Sequence, residues 1–163
     1  FGAPYKLKIL FEEIFVNSTN QLIEIKEEVI RNFEEARELL FGTAELEQEQ
    51  EELEDTLNQL ADEINALINE NARIALDQAK YERNYSKLLK KFDEAEARLA
   101  TVKEKIALRQ VKQEQVEMFL KELENTDLVD EFDESLFNRL VEVIDIEKEK
   151  ITVTFKDGSE VTI

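Results

Sequence analysis

Cysteine, histidine and tryptophan are all absent from this chain of 163 residues, and it has only 3 glycines and 1 proline. Lacking thiolate and imidazole, it has no cysteine or histidine metal sites, no disulfides, and no Cys-His or Ser-His-Asp nucleophile system. No apolar stretch nears the roughly 20 residues of a membrane span, and no signal peptide is visible. Cysteine usage does not fix the compartment, but the absence of bridges suits a reducing one, and a cytoplasmic location with no membrane partner is the expectation. The opening Phe1-Gly2-Ala3-Pro4 lacks an initiator Met. A fragment or a processed product is therefore expected.

What the chain has in abundance is charge. Asp and Glu number 39 against 21 Lys and Arg, giving a net charge of −18. The excess is unevenly spread. Residues 42–77 carry 1 basic and 11 acidic side chains, whereas residues 78–125 carry 11 and 9. The acidic segment is thus followed by a slightly basic one, and opposite flanking charges favour their pairing with each other. The overall sign argues against wrapping DNA with the helical surface, although a local basic patch remains compatible with it.

Apolar residues step by alternating threes and fours in two runs. The first comprises Leu46, Leu53, Leu57, Leu60, Ile64, Leu67 and Ile74; the second comprises Tyr81, Tyr85, Leu88, Phe92, Ala95, Leu99, Val102 and Ile106. Such spacing buries one narrow stripe per helix. Two runs separated by a short connector satisfy each other by folding back, with paired residue numbers summing to roughly 152. The expected arm is roughly 40–45 Å long. Asp77 is the expected N-cap of the descending helix, which should end near Glu124.

Around the arm, a first helix is expected from about Tyr5 to Phe41, with an apolar stripe that includes Leu7, Phe11, Phe15, Val29, Phe33 and Leu40. Asn17-Ser18-Thr19-Asn20 interrupts the stripe and is the expected place for a bend. Gly42 and Thr43 read as a glycine stop and a threonine cap, forming a hinge. Val116, Phe119, Leu120 and Leu123 should pack on the first helix. Asp133 caps a short helix, with Phe132 and Phe137 spaced as a hydrophobic staple. Three strands complete the chain, over Val143–Ile146, Ile151–Phe155 and Ser159–Ile163, with turns at Glu147–Lys150 and Asp157-Gly158.

The fold class is thus mainly α: a long antiparallel two-helix coiled-coil hairpin projecting from a helical base, with a small C-terminal antiparallel β-meander. Its parts are a base helix (1–42), the arm (43–109, tip near 71–78) and a returning helix, short helix and meander (110–163). No catalytic constellation is present, and no cofactor or metal site is expected. The acidic run Asp130-Glu-Phe-Asp-Glu134 lacks the glycine and ligand spacing of a calcium loop. Lys87, Lys90 and Lys91 are expected to pair with acids of the first arm. At the tip, Ile74, Ala75, Leu76 and Tyr81 have least area to bury them. Either they close the turn as a small core, or some remain as an exposed apolar contact cap.

The tip Glu70-Asn-Ala-Arg-Ile-Ala-Leu-Asp-Gln-Ala-Lys-Tyr-Glu-Arg-Asn-Tyr85 resembles the coiled-coil tip of large serine recombinases. Phe11-Glu-Glu-Ile-Phe-Val-Asn-Ser-Thr-Asn-Gln-Leu22 is similar to the helix after that family's zinc ribbon. Leu136-Phe-Asn-Arg-Leu-Val-Glu142 and Ile151-Thr-Val-Thr-Phe-Lys-Asp-Gly-Ser-Glu-Val161 resemble its closing helix and strands. The resemblance implies a module that pairs with coiled coils of other recombinase subunits to control synapsis. It also implies a recombination directionality factor as a second partner, and DNA bound through the rest of the parent protein. The catalytic serine domain and the zinc cysteines are missing, so neither strand cleavage nor zinc binding is expected of this chain. Partner contact is assigned to Arg73, Ile74, Leu76, Asp77 and Tyr81. The competing expectation is a structural spacer or chaperone-like coiled coil.

Overall fold

The computed structural model describes residues 3–74, 76–147 and 150–163, with side chains from Lys6 onward. The chain is mainly helical, with a three-stranded antiparallel sheet near its C-terminus. Helices α1 (Ala3–Glu24), α2 (Lys26–Phe41), α3 (Ala44–Arg73) and α4 (Gln78–Glu124) precede the short α5 (Glu134–Leu140). Strands β1 (Val141–Ile146), β2 (Ile151–Phe155) and β3 (Glu160–Thr162) complete it, in the order β1-β2-β3. Two compact units result: residues 1–41 with 111–163, and residues 42–110.

The first unit holds the core. Ile14, Phe15 and Leu22 of α1 cluster with Phe119 and Leu123 of α4, Leu136 and Leu140 of α5, and Val153 and Phe155 of β2. The alternation in β2 puts Val153 and Phe155 inside and leaves Thr152 and Thr154 half-buried on the opposite face. Three strands need such cover, because a small sheet cannot bury its apolar face alone. Asp133 accepts from the backbone N–H of Leu136 at 2.8 Å, starting α5. Phe132 and Phe137 flank that cap with centroids 5.9 Å apart, and both pack against Phe11 and Phe15. The second hairpin turns at Gly158, whose φ of 90° falls where only glycine is free of strain. The turn between β1 and β2 is closed by Glu147 N–H donating to the Lys150 carbonyl at 2.8 Å; Lys148 and Glu149 lie outside the described residues.

Several expectations need correction. The first helix is two helices, and the break falls at Ile25 instead of at the polar run. Ser18 and Thr19 are fully buried, and Ser18 donates its hydroxyl proton to the Ile14 carbonyl at 2.8 Å. Asn20 makes a two-way bond with Val129, donating at 2.9 Å and accepting at 2.8 Å, which ties the 125–132 connector to α1. Ser18 and Asn20 are therefore accommodated inside by partners of their own, whereas Asn17 is exposed. Lys26, just past the break, donates to the carbonyls of Glu124 and Thr126, placing a cation at the C-terminal end of α4. Leu7 and Leu40, placed on the apolar stripe, are exposed, and α2 buries no residue fully. β1 begins two residues earlier than expected, with a register irregularity between Val141 and Val143.

The second unit contains α3 and residues 78–110 of α4. Leu60, Ala95, Val102 and Ile106 are its buried side chains, all on the three-four runs. Leu46, Leu53, Leu57, Ile64 and Leu67 are half-buried on the same stripe of α3. Glu49 meets Arg98 at 2.6 Å and Glu54 meets Lys103 at 2.8 Å. Gly42 and Thr43 open this unit. The Gly42 carbonyl accepts from Arg109. Gly42 does not use a left-handed conformation, and Thr43 does not cap α3: its hydroxyl donates to Glu47 at 2.7 Å.

Candidate partner-binding tip

The tip is built by where α3 stops and α4 starts. Ile74 leaves the helix in an extended conformation (φ −131°, ψ 128°) while its N–H still donates to Glu70 at 3.0 Å. Neither glycine nor proline is present to force this stop; Asp77 and Gln78 hold the redirected chain. Asp77 accepts from the Lys80 N–H through its carboxylate at 2.9 Å, as an N-cap does. The Gln78 amide donates to the Asn71 side chain at 3.2 Å and to the Leu76 carbonyl at 3.1 Å, bracing the two helix ends. Tyr81 and Tyr85 stack with centroids 6.0 Å apart, one helical turn between them. A cleft of about 270 Å³ lies between Leu67, Glu70, Leu76, Lys80 and Tyr81.

This geometry divides the expected contact residues. Leu76 and Tyr81 are half-buried and close the turn. Ile74 is 61% exposed, and Arg73 and Asp77 are exposed beside it. Ala75 lies outside the described residues. Asp77 has the capping duty expected from its place before the descending helix. The brace pairs half-buried Asn71, a polar residue on the three-four stripe of α3, with exposed Gln78, and no local sequence signal marks that pairing.

Electrostatics on the flanks differ from expectation. Lys87, Lys90 and Lys91 do not pair with acids of α3 within salt-bridge distance among the described residues; Lys90 meets Glu94 of its own helix at 3.8 Å. The cross-helix ion pairs use Arg98 and Lys103 instead. Hydrogen bonding from Arg98 holds the Glu49 carboxyl below the usual range, and that from Lys103 does so for Glu54, both against a smaller opposing effect of burial. Glu49 in turn raises Arg98. Among the described residues there is no cluster of three or more Asp or Glu side chains placed to hold a metal. Among them, too, no helix is long and apolar enough to cross a membrane.

Comparison of the chain with protein-family models, with characterised proteins and with solved structures gives no match.

Proposed function

We propose that residues 42–110 form a long antiparallel two-helix coiled-coil arm whose tip contacts other proteins. We further propose that the chain is the interaction module of a large serine recombinase, pairing subunits at synapsis and biasing integration against excision. Its partners are then coiled coils of other recombinase subunits and a directionality factor, while catalysis, zinc and DNA-site recognition belong to other parts of the parent protein. The register supports the arm: the Glu49–Arg98 and Glu54–Lys103 pairs straddle the alignment in which residue numbers sum to roughly 152. The observation that carries the contact role is Ile74, an aliphatic side chain 61% exposed on a turn fixed by a cap and an amide brace. A preorganised apolar side chain loses little entropy on docking.

The test is made in the intact recombinase. Ile74→Glu and Leu76→Glu should weaken pairing of two attachment sites by about 2 kcal/mol, roughly thirtyfold, with single-site binding unchanged. Pairing at the unmutated level by the Ile74 variant removes the tip from the mechanism. A spacer role is favoured by the use of Leu76, Asp77 and Gln78 in turn closure, and it predicts that insensitivity. Adding the isolated chain to the intact recombinase separates the two readings: a module competes for synapsis, and a spacer does not.

A further inference from the structure

Lys80, Arg83, Lys87 and Lys90 recur at intervals of three, four and three along α4, so they share one face of the helix. The half-buried seam of the same segment is Tyr81, Tyr85, Leu88 and Phe92, and the four cations lie largely away from it, all exposed. Arg83 and Lys90 lie furthest from the seam, whereas Lys80 and Lys87 stand nearer its edge, each bordering a groove shared with Glu70 of α3. Only Lys90 of the four has an ion-pair partner among the described residues, and that pair is wide, at 3.8 Å, with both side chains mostly in solvent. The groove beside Lys87, of about 420 Å³, is bordered also by Lys91 and by Glu63 and Glu70 of α3.

We infer that this stripe is a contact surface for a phosphodiester backbone, read without regard to base sequence. Four cations spread over roughly 15 Å of helix present a row of point charges. Three of the four are lysines, which lack the planar fork that favours paired carboxylates. A repeated, uniformly charged strand matches such a row better than a single acidic side chain does. The net charge of −18 does not forbid the contact. The run of seven acids between Glu45 and Asp55 lies roughly 25 Å along the axis in the proposed register, against a Debye length of about 8 Å. A second copy of the chain would bring the carboxylates of α3 instead, and competition by polyglutamate tells that occupant apart from a phosphodiester strand. The inference uses the α3–α4 packing and is independent of the recombination reading.

The experiment is fluorescence anisotropy of a labelled arbitrary-sequence duplex DNA with the full chain. Binding should weaken on the order of 100-fold between about 50 and about 200 mM salt, the dependence expected for four phosphates neutralised. A variant carrying Lys80→Gln, Arg83→Gln, Lys87→Gln and Lys90→Gln should lose that binding by about tenfold or more while keeping its helical circular dichroism. A variant with the same change in net charge placed elsewhere (Lys6, Lys8, Lys112 and Lys121 to Gln) should retain it. No binding by the unmutated chain at low salt overturns the inference, as does equal loss in both variants. Competition by polyglutamate as effective as duplex competition, at matched charge, also overturns it, since the surface would then read carboxylates. Because synapsis is not measured, the result stands apart from the test of the tip.

Discussion

At the scale of single residues, buried polar groups matter more than apolar ones in explaining this chain. Ser18, Thr19 and Asn20 stand in the last two turns of α1, where a bend would otherwise be expected. Ser18 and Asn20 are satisfied, but the Thr19 hydroxyl is fully buried and has no hydrogen-bond partner among the described residues. An unpaired buried hydroxyl costs about 1–3 kcal/mol, and replacing it with a group of the same shape recovers part of that. Thr19→Val should therefore stabilise the chain by about 1 kcal/mol, seen as a higher midpoint in urea. A lower midpoint would mean that the hydroxyl has a partner. Glu49 supplies the second prediction. Its carboxyl is held below the ordinary 4.5 by Arg98, so the pair contributes fully above that value and loses its contribution as pH falls through the folded-state value. The pair is exposed, so the effect is small and sensitive to salt. The difference in stability between the unmutated chain and Arg98→Gln should shrink below about pH 4.5 and again at high salt. A difference that persists in acid would assign the effect of Arg98 to packing.

Among the elements, those with their own local signals were the most legible. Asp133 with the Phe132–Phe137 staple marked α5, two-residue alternation marked β2, and Asp157-Gly158 marked the last hairpin. Three-four spacing marked α3 and α4, because a seam leaves its period in the sequence. The elements and contacts that depend on distant partners were not legible. The α1–α2 break at Ile25 is accompanied by Lys26 reaching carbonyls about a hundred positions away, and the inward turn of Asn20 depends on Val129. At the tip, Asp77 is legible as a cap, whereas the expected pairing of Lys87, Lys90 and Lys91 with acids of α3 is replaced by Arg98 and Lys103, because one-dimensional charge balance carries no distances between side chains. Local signals also carry measurable energy. Asp133→Ala should cost about 1 kcal/mol, detected in the melting of the first unit, and Asn at that position should restore most of it. An unchanged melting point would show that the aromatic cluster alone starts α5.

For the molecule as a whole, the two units bury their chains in different ways. The first closes a core with contributions from α1, α4, α5 and the sheet, including Phe15, Phe119 and Phe155 almost wholly removed from solvent. The second relies on a single stripe, where Leu60, Ala95, Val102 and Ile106 are the buried apolar side chains among the described residues. Apolar burial contributes about 1.5–3 kcal/mol for each large side chain, so the first unit has far more to lose on opening. Because α4 runs through both, one continuous helix should show two levels of stability. Amide hydrogen exchange reads this directly, since local opening depends on the density of buried contacts around each amide. Amides of residues 82–92 should exchange at least about tenfold faster than those of residues 116–123 in native conditions. Glu49–Arg98 and Glu54–Lys103 are surface pairs too weak to level that difference. Uniform protection along α4 would require stabilising contacts around the second unit beyond its own seam, and the self-contained arm would have to be abandoned.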